Sequence, residues 1–175
     1  KKISQTLYRI AQQQLFKQMA YMDELTGLAN RRKCEEYMKE LETHTEKYCI
    51  LCFDLNLLKK INDTYGHEKG DELIKRFADV LREVYSLYGI TARTGGDEFV
   101  TILNNVSVQE TEKLISDMLI LIETKNKEED ILKLSTAYGY AMSDEVADSN
   151  PHIIYKLADD RMYEYKKKSK MGRND

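Results

Sequence analysis

Two short apolar runs that meet at paired glycines limit the possible folds of this chain more than any other stretch of its sequence. Residues 90–93 are mostly β-branched or small, and residues 99–103 form a second apolar run that ends at two asparagines. Gly95 and Gly96 lie between the runs, and glycine tolerates the positive φ that a tight turn requires. The pattern therefore predicts a β-hairpin in the core of the fold.

Asp97 and Glu98 directly follow the paired glycines, at the tip of the predicted hairpin. Neighbouring carboxylates repel each other and are costly to desolvate, and a bound cation would relieve both problems. The simpler interpretation is a solvated turn with two incidental acids. The hairpin alone leaves both interpretations open.

The composition indicates one folded, water-soluble domain. The chain has 175 residues, of which 42% are hydrophobic and 33% are charged. A net charge of −3 gives no general attraction to nucleic acid or to an anionic membrane surface, so we expect neither as a partner of this fragment. No apolar run reaches transmembrane length, and no signal-peptide pattern is present.

The three cysteines predict buried, unreactive thiols. Cys34, Cys49 and Cys52 are too few, and odd in number, for a disulfide framework. Cys49 and Cys52 have C-x-x-C spacing but lie in an apolar run, residues 48–53, that is typical of a strand. Residues three apart on a strand face opposite sides, so the pair cannot readily hold a metal. Reduced thiols also predict a cytoplasmic location.

Residues 1–22 have the pattern of an amphipathic helix. Its apolar stripe consists of Ile3, Leu7, Ala11, Leu15, Met19 and Met22. Such a stripe needs a partner, which is either the flank of the same domain or the same helix in a second copy. Because the helical pattern is already running at the first residue, we expect a piece of a longer protein. We interpret residues 1–22 as a linker helix and residues 23–175 as the main domain.

Residues 48–53 form a nearly continuous apolar run, which predicts a central strand with Asp54 at its carboxyl end. The polar residues and two glycines of residues 55–71 predict a structured loop, followed by a helix that begins near Leu73. Asp71 then has a simple structural interpretation, as the cap of that helix.

The second half of the chain alternates helices and strands. Residues 107–110 form a capping box before an amphipathic helix, and residues 125–130 form a charged loop. A core strand is predicted over residues 134–141, and Asn-Pro at 150–151 begins a last helix with Tyr165 on its inward face. The predicted fold is an α/β sandwich: one mixed, largely antiparallel sheet with a central hairpin, flanked by helices.

Asp54 and Asp97 predict a metal site if their strands are neighbours, because both carboxylates then lie at one end of the sheet. Converging acids suit Mg²⁺, which prefers oxygen ligands and leaves positions for substrate phosphates. Lys59, Lys166 and Lys170 could neutralise a triphosphate there. For the last two, the alternative is a solvated helix end favoured by the helix dipole.

Four segments, residues 23–32, 53–59, 61–71 and 93–99, together resemble the GGDEF domain of diguanylate cyclases. The resemblance extends over about residues 23–174, with the four motifs in the family's order and spacing. It implies the nucleotidyl-cyclase fold with a ferredoxin-like core. It also implies that a homodimer joins two GTP molecules, one per active site, into cyclic di-GMP and releases pyrophosphate.

The resemblance assigns the metal and catalytic residues. Two Mg²⁺ ions, with Mn²⁺ as an alternative, would be held by Asp54, the Leu55 backbone carbonyl and Asp97, with Glu98 assisting. Asp97 matches the family's proton acceptor. Lys59 matches the position that stabilises the charge developing on the phosphates.

The resemblance also assigns the substrate-binding residues. Asn62, His67 and Asp71 match the positions that contact guanosine. Lys166 matches a phosphate contact, and Lys170 is the next candidate, one helical turn further along the chain. A carboxylate at Asp71 could accept both the N1–H and the exocyclic amine of guanine, and it would repel the unprotonated N1 of adenine.

Some residues depart from the family's pattern. Asn56 replaces the usual second acid of an Asp-x-Asp motif, and Leu58 stands where phenylalanine is common. The Gly-Arg pair that usually follows the lysine is displaced, which leaves Lys170 and Arg173 as competing phosphate contacts. The alternative function is an inactive GGDEF module that binds GTP or acts as a scaffold. All five signature residues, 95–99, are retained, which favours an active cyclase.

Overall fold

The computed structural model describes the main chain of residues 2–171 and the side chains of residues 3–169. Within that range, the elements in chain order are α1 (Lys2–Tyr21), β1 (Ala29–Asn30), α2 (Arg31–Leu41), β2 (Tyr48–Leu55), α3 (Leu58–Tyr65), α4 (His67–Tyr85), β3 (Gly89–Arg93), β4 (Glu98–Asn104), α5 (Val108–Lys127), β5 (Thr136–Met142) and α6 (Pro151–Met171). Helices and strands alternate along the chain except at α3–α4 and at the β3–β4 hairpin.

The strands form one five-stranded sheet in the order β1-β3-β4-β2-β5. β1 and β3 are parallel, and every other pair is antiparallel. β3 and β4 are the predicted hairpin, and Asp54 on β2 lies directly opposite Glu98 on β4. The predicted fold class, a mixed and largely antiparallel sheet with a hairpin inside it and helices around it, is confirmed.

Helices bury both faces of the sheet. On the face covered by α4 and α5, aromatic rings form the centre: the Phe77 ring lies 6.1 Å from that of Phe53 and 5.1 Å from that of Phe99, between ring centroids. On the face covered by α2 and α6, the helix α6 packs closely on β5 at Gly139. A Cβ atom at Gly139 would overlap the main chain of α6 near Met162, so only glycine permits this contact.

Side-chain caps begin three of the described helices, and the two starts predicted at residues 107–110 and 150–151 are confirmed. Asn30 accepts a hydrogen bond from an amide in the first turn of α2. Ser107 and Glu110 form the reciprocal capping box at the start of α5, with the Ser107 amide 2.8 Å from the Glu110 carboxylate. The Asn150 side chain accepts from the His152 amide at 2.9 Å, and Pro151 is the first helical residue of α6.

The loop predicted over residues 55–71 is wrong for most of its length. Two helices, α3 and α4, occupy it and are separated by Gly66 alone, whose φ of 88° ends one helix and begins the next. The helix predicted to begin near Leu73 therefore begins at His67. The sequence does carry a short helical spacing here, Leu58, Ile61 and Tyr65, but α3 has only eight residues, and the polar residues and two glycines of the segment led to the loop interpretation.

Three other boundaries also differ from prediction. β2 continues to Leu55, so Asp54 lies inside the strand rather than after it. α5 runs to Lys127, into the predicted charged loop. The last strand starts at Thr136 rather than at residue 134, because the Asn126 side chain bonds the Leu134 amide and carbonyl at 2.7 and 2.8 Å and takes the place of a neighbouring strand.

The apolar stripe of α1 is exposed. The side chains of Ile3, Leu7 and Met19 are 78%, 62% and 67% exposed. Of the two partners considered for this stripe, the flank of the same domain is therefore wrong. The helix is attached at its end, where the Tyr21 hydroxyl donates to Glu36 on α2 at 2.6 Å. Within residues 2–171, no helix has the length and apolar character needed to cross a membrane.

The cysteines are free and buried, as predicted. Cys49 packs in the core on one face of the sheet and Cys52 in the core on the other. Burial raises the pKa of Cys34 to about 11 and that of Cys49 to about 12, and it raises the pKa of Cys52 as well. All three thiols therefore remain protonated at neutral pH.

We expect iodoacetamide at pH 8 to leave all three cysteines of the native protein unmodified for hours. Burial raises the pKa of Cys34 to about 11, so at that pH nearly all of it is the unreactive thiol, and the residue is just 2% exposed. In denaturant all three should react within minutes. Mass spectrometry of the intact chain measures both results, and rapid alkylation of the native protein would contradict the buried placement.

Candidate functional site

An open pocket of about 710 Å³ lies where the carboxyl end of β2 meets the tip of the β3–β4 hairpin. The start of α3 and the last turns of α6 complete its walls. Its lining residues, which we call the candidate nucleotide pocket, include Asp54, Leu55, Asn56, Leu57, Lys59, Lys60, Asp63, Asp97, Ser135, Thr136, Tyr165, Lys166 and Ser169. The pocket thus mixes carboxylates with ammonium and hydroxyl groups.

Asp54 is a largely buried acid of this pocket, with its side chain 13% exposed. Its Oδ2 atom accepts a hydrogen bond from Lys166 Nζ at 2.8 Å. Its Oδ1 atom is buried and has no hydrogen-bond partner among the described residues. A buried carboxylate oxygen without a partner is costly, and a cation is the group that would satisfy it.

Asp97 lines the same pocket from the hairpin tip. The Leu55 amide donates to the Asp97 carbonyl at 2.8 Å, so the main chain fixes the tip against the end of β2. The structure therefore brings together three predicted metal-site residues, Asp54, Leu55 and Asp97. The predicted convergence of the two carboxylates depended on their strands being neighbours, and β2 and β4 are indeed paired.

Glu98, the fourth predicted metal-site residue, is not in this pocket. Its exposed side chain lines a separate cavity of about 310 Å³ with Thr94, His152 and Tyr155. Asp97 belongs to the turn before β4, whereas Glu98 is the first residue of that strand, and the two side chains line different cavities. Among the side chains that the structure describes, no group of three or more His, Cys, Asp or Glu residues is arranged to hold a metal.

Three lysines balance the acids of the candidate nucleotide pocket. Lys59 and Lys60 belong to the first turn of α3, and Lys166 reaches the pocket from α6. The main chain turns from β2 into α3 at Leu57, whose φ of 69° is unusual for a residue with a branched side chain. The side chain of Lys170 lies outside the described residues, as does Arg173.

The three predicted guanosine contacts, Asn62, His67 and Asp71, are not among the residues that line this pocket. Asn62 lies where α3 packs on α4. Its Oδ1 atom is buried and has no partner among the described residues. A Cβ atom at Gly70 would overlap that oxygen, so the glycine makes room for the amide. His67 and Asp71 are exposed and lie one turn apart on α4. Asp71 is the fifth residue of this helix, so its alternative role as the helix cap is wrong.

A sequence model described as "Diguanylate cyclase, GGDEF domain" matches residues 20–172. The chain belongs to the GGDEF family. Cyclases of this family are generally metal-dependent.

Two relatives illustrate the sequence similarity. This GGDEF chain is 31% identical over 164 residues to the probable diguanylate cyclase DgcT of Escherichia coli K12, and the match covers 90% of this chain and 35% of DgcT. It is 29% identical over 161 residues to an uncharacterized membrane protein of Staphylococcus aureus USA300, covering 87% of this chain and 44% of that protein. The chain therefore spans about a third to under half of the length of these relatives.

Solved GGDEF structures share the fold. The coiled coil and GGDEF domain of DgcB from Caulobacter crescentus, in complex with c-di-GMP, superposes with a TM-score of 0.82 at 22% identity, covering 95% of this chain and 91% of that one. The GGDEF domain of PA1120 (TpbB or YfiN) from Pseudomonas aeruginosa gives a TM-score of 0.72 at 27% identity, covering 84% and 89%. These GGDEF domains have the nucleotidyl-cyclase fold, which this chain shares.

Sequence reasoning missed part of the pocket lining of this GGDEF domain. Tyr165 was predicted to face the core, but it is 38% exposed and lines the pocket next to Lys166. Its ring packs against that of Tyr138, with the centroids 4.6 Å apart. Burial raises the pKa of Tyr138, and the charge and hydrogen bonding of Tyr165 raise it further. Helical spacing could not distinguish a core position from one at the rim of a pocket.

Proposed function

We propose that this domain is an active diguanylate cyclase, which condenses two GTP molecules into cyclic di-GMP and releases pyrophosphate. One observation carries the proposal: Asp54 and Asp97 line the same pocket as Lys59 and Lys166. Carboxylates for a divalent cation and ammonium groups for phosphates are the two requirements of nucleotidyl transfer. Membership of the GGDEF family gives this chemistry its most direct interpretation.

The residues fit a divalent cation. Asp54 has a buried carboxylate oxygen without a partner, and Asp97 lies in the same pocket beside the Leu55 peptide. Mg²⁺ is commonly held by one or two carboxylates together with substrate phosphates, so a cluster of three acids is not required. We propose Asp54, the Leu55 carbonyl and Asp97 as its ligands, for two Mg²⁺ or alternatively Mn²⁺ ions. Glu98 is omitted because its side chain lines the other cavity.

When bound, the cation would polarise the α-phosphate and lower the pKa of the attacking hydroxyl. We propose that Asp97 accepts the proton of the 3′-hydroxyl of one GTP. The 3′-oxygen then forms a bond to the α-phosphorus of the other GTP, and the bond from that phosphorus to the bridging oxygen breaks. Pyrophosphate leaves with the bonding electron pair. Lys59 and Lys166 neutralise the charge on the phosphates, and Lys170 is proposed as a further contact.

We propose that Asn62, His67 and Asp71 bind the guanosine. Asn62 supports this role because its Oδ1 atom is buried without a partner and guanine offers hydrogen-bond donors. Asp71 is exposed on the second turn of α4 and is free of any capping role there. A carboxylate at this position attracts the two donors of guanine and repels the lone pair of adenine.

Each pocket holds one of the two GTP molecules in this proposal, so catalysis needs a homodimer. We propose residues 1–22 as the linker helix that pairs two copies and residues 23–175 as the catalytic domain. The exposed apolar stripe of α1 supports this arrangement, since a parallel helix pair would bury it. The predicted cytoplasmic location, which the GTP substrate suits, stays a prediction.

The test is to incubate the purified protein with GTP and Mg²⁺ and to measure products by mass spectrometry. We expect cyclic di-GMP and pyrophosphate, with no cyclic product from ATP. GTP binding without a product would instead favour the alternative, an inactive GGDEF module that binds GTP or serves as a scaffold. Asn56, which replaces the second acid of the family's motif, is the reason to keep that alternative.

Specific activity should fall steeply when the protein is diluted below its dimer dissociation constant, because a separated copy holds only half of the substrates. The variant Leu7→Glu places a charge in the apolar stripe of α1 and should move the midpoint of this fall to higher concentration by about tenfold or more. Gln13→Glu, on an exposed position of the same helix, is the matched control. Activity per molecule that is constant on dilution would rule out the dimer mechanism.

A further inference from the structure

Arg93 connects two parts of the molecule that are far apart in sequence. It is the last residue of β3, and its side chain is only 16% exposed. Its Nε and Nη2 atoms donate to the Gly96 carbonyl at 3.2 and 2.9 Å. Its Nη1 atom donates to Asp23 Oδ1 at 3.3 Å. One guanidinium therefore holds both the turn at residues 94–97, which we call the signature turn, and the segment after α1.

Asp23 fixes the segment that follows α1. Its Oδ2 atom accepts hydrogen bonds from the Thr26 amide at 2.9 Å and from the Thr26 hydroxyl at 2.7 Å. Its main chain closes the same turn, since its carbonyl accepts from the Gly27 amide and its amide donates to the Leu28 carbonyl, both at 2.8 Å. Because α1 ends at Tyr21, the Asp23 carboxylate lies at the junction between that helix and the domain.

The signature turn depends on outside contacts for its conformation. Gly95 and Gly96 have no side chains to pack, and glycine has the greatest conformational freedom of any residue. Within the turn, the amides of Thr94 and Gly95 donate to the Glu98 carbonyl at 2.9 and 3.3 Å. Arg93 contacts the carbonyl of Gly96, the residue immediately before Asp97, which is the proposed proton acceptor.

We propose that Arg93 is a positioning residue that couples the junction after α1 to the signature turn. Asp23 accepts a hydrogen bond from the Arg93 guanidinium, and the same guanidinium donates to the Gly96 carbonyl. A displacement of the junction after α1 would therefore shift Arg93, then Gly96, and with it the neighbouring Asp97. Hydrogen-bond and ion-pair networks can carry coupling between two sites, and these hydrogen bonds form such a network. The catalytic consequence rests on the proposed cyclase activity, whereas the mechanical coupling does not.

The test distinguishes a local effect on the signature turn from a general loss of fold stability. In Asp23→Asn the residue keeps its size but loses the charge that holds Arg93. We expect amide hydrogen exchange at Thr94 and Gly95 to accelerate about tenfold or more, with exchange at Thr101 in the middle of β4 unchanged. In Glu35→Gln, which breaks the exposed Arg31–Glu35 pair on α2, neither region should change. Uniform acceleration over the whole sheet would mean that the pair only stabilises the fold and would overturn the proposal.

Kinetics give the second measurement. If the protein is a cyclase, Asp23→Asn should lower kcat about tenfold and change the KM for GTP less than twofold, because Asp97 is misplaced while the nucleotide contacts remain. Arg93→Met should lower kcat further, and the double variant should be no slower than Arg93→Met alone. Additive effects of the two substitutions would overturn the coupling.

Failure of the proposed function is distinguishable from failure of this inference. If the wild-type protein forms no cyclic di-GMP, the cyclase proposal fails, and the hydrogen-exchange comparison still decides the coupling. If Asp23→Asn leaves exchange at Thr94 and Gly95 at the wild-type rate, the coupling is wrong whatever the activity.

Discussion

The variant Asp97→Asn should fold normally and lose about 100- to 10,000-fold in kcat for cyclic di-GMP formation. The substitution removes both the proposed proton acceptor and the charge of a proposed metal ligand, with almost no change in size. Folding should be preserved because Asp97 supports the structure through its main chain, where the carbonyl accepts from the Leu55 amide. Initial rates at saturating GTP and Mg²⁺ measure the effect.

The matched control for Asp97→Asn is Asp117→Asn, which removes an exposed carboxylate that pairs with Lys113 on α5. Both variants lose one negative charge, but only the first lies in the candidate nucleotide pocket. Thermal unfolding of both should be within a few degrees of the wild type. Wild-type turnover in Asp97→Asn would remove this residue from the reaction and would leave its carboxylate without a proposed role.

The variant Gly70→Ala should lower kcat/KM for GTP about 100-fold, mainly through KM. On an ordinary helix this change stabilises by about 0.5–1 kcal/mol, since alanine is the better helix former. Here the new methyl group would overlap Asn62 Oδ1, so the amide must leave the position from which we propose it contacts guanine. The preference for GTP over ATP should shrink at the same time. Rates with each nucleotide measure both effects.

Lys75→Ala, at an exposed position on the same helix, is the control for Gly70→Ala and should not change kcat/KM. A second variant identifies the cause: Gly70→Ala combined with Asn62→Ala should be no worse than Asn62→Ala alone, because the methyl group then has no amide to displace. An unchanged KM for GTP in Gly70→Ala would show that Asn62 does not contact the nucleotide.

Turn and helix-cap patterns in the sequence correctly predicted those parts of the fold that depend on residues close together in the chain. The hairpin, the Ser107 capping box and the Asn150 cap are set within a few residues, and all are present. The helix α3 was missed although Leu58, Ile61 and Tyr65 have helical spacing, because it is only eight residues long and two glycines and many polar residues surround these positions.

The site was predicted less completely than the fold. Motif matching assigned Glu98 to the same site as Asp97, but Asp97 lies in the turn and Glu98 begins β4, and their side chains line different cavities. The sequence alone did not show where the turn ends and the strand begins. Tyr165 could not be placed from the sequence either, because its place at the pocket depends on how α6 crosses the sheet.

The contact between α6 and β5 at Gly139 makes the chemistry of this domain sensitive to a residue that lines none of the candidate nucleotide pocket. α6 carries Lys166, whose ammonium contacts Asp54, and the helix lies against the sheet only because position 139 has no side chain. A larger residue there would lift α6 and withdraw that ammonium from the pocket. If the domain is a cyclase, a saturation screen scored by cyclic di-GMP output should therefore rank Gly139 with the proposed catalytic positions, although Gly139 lies outside the candidate nucleotide pocket.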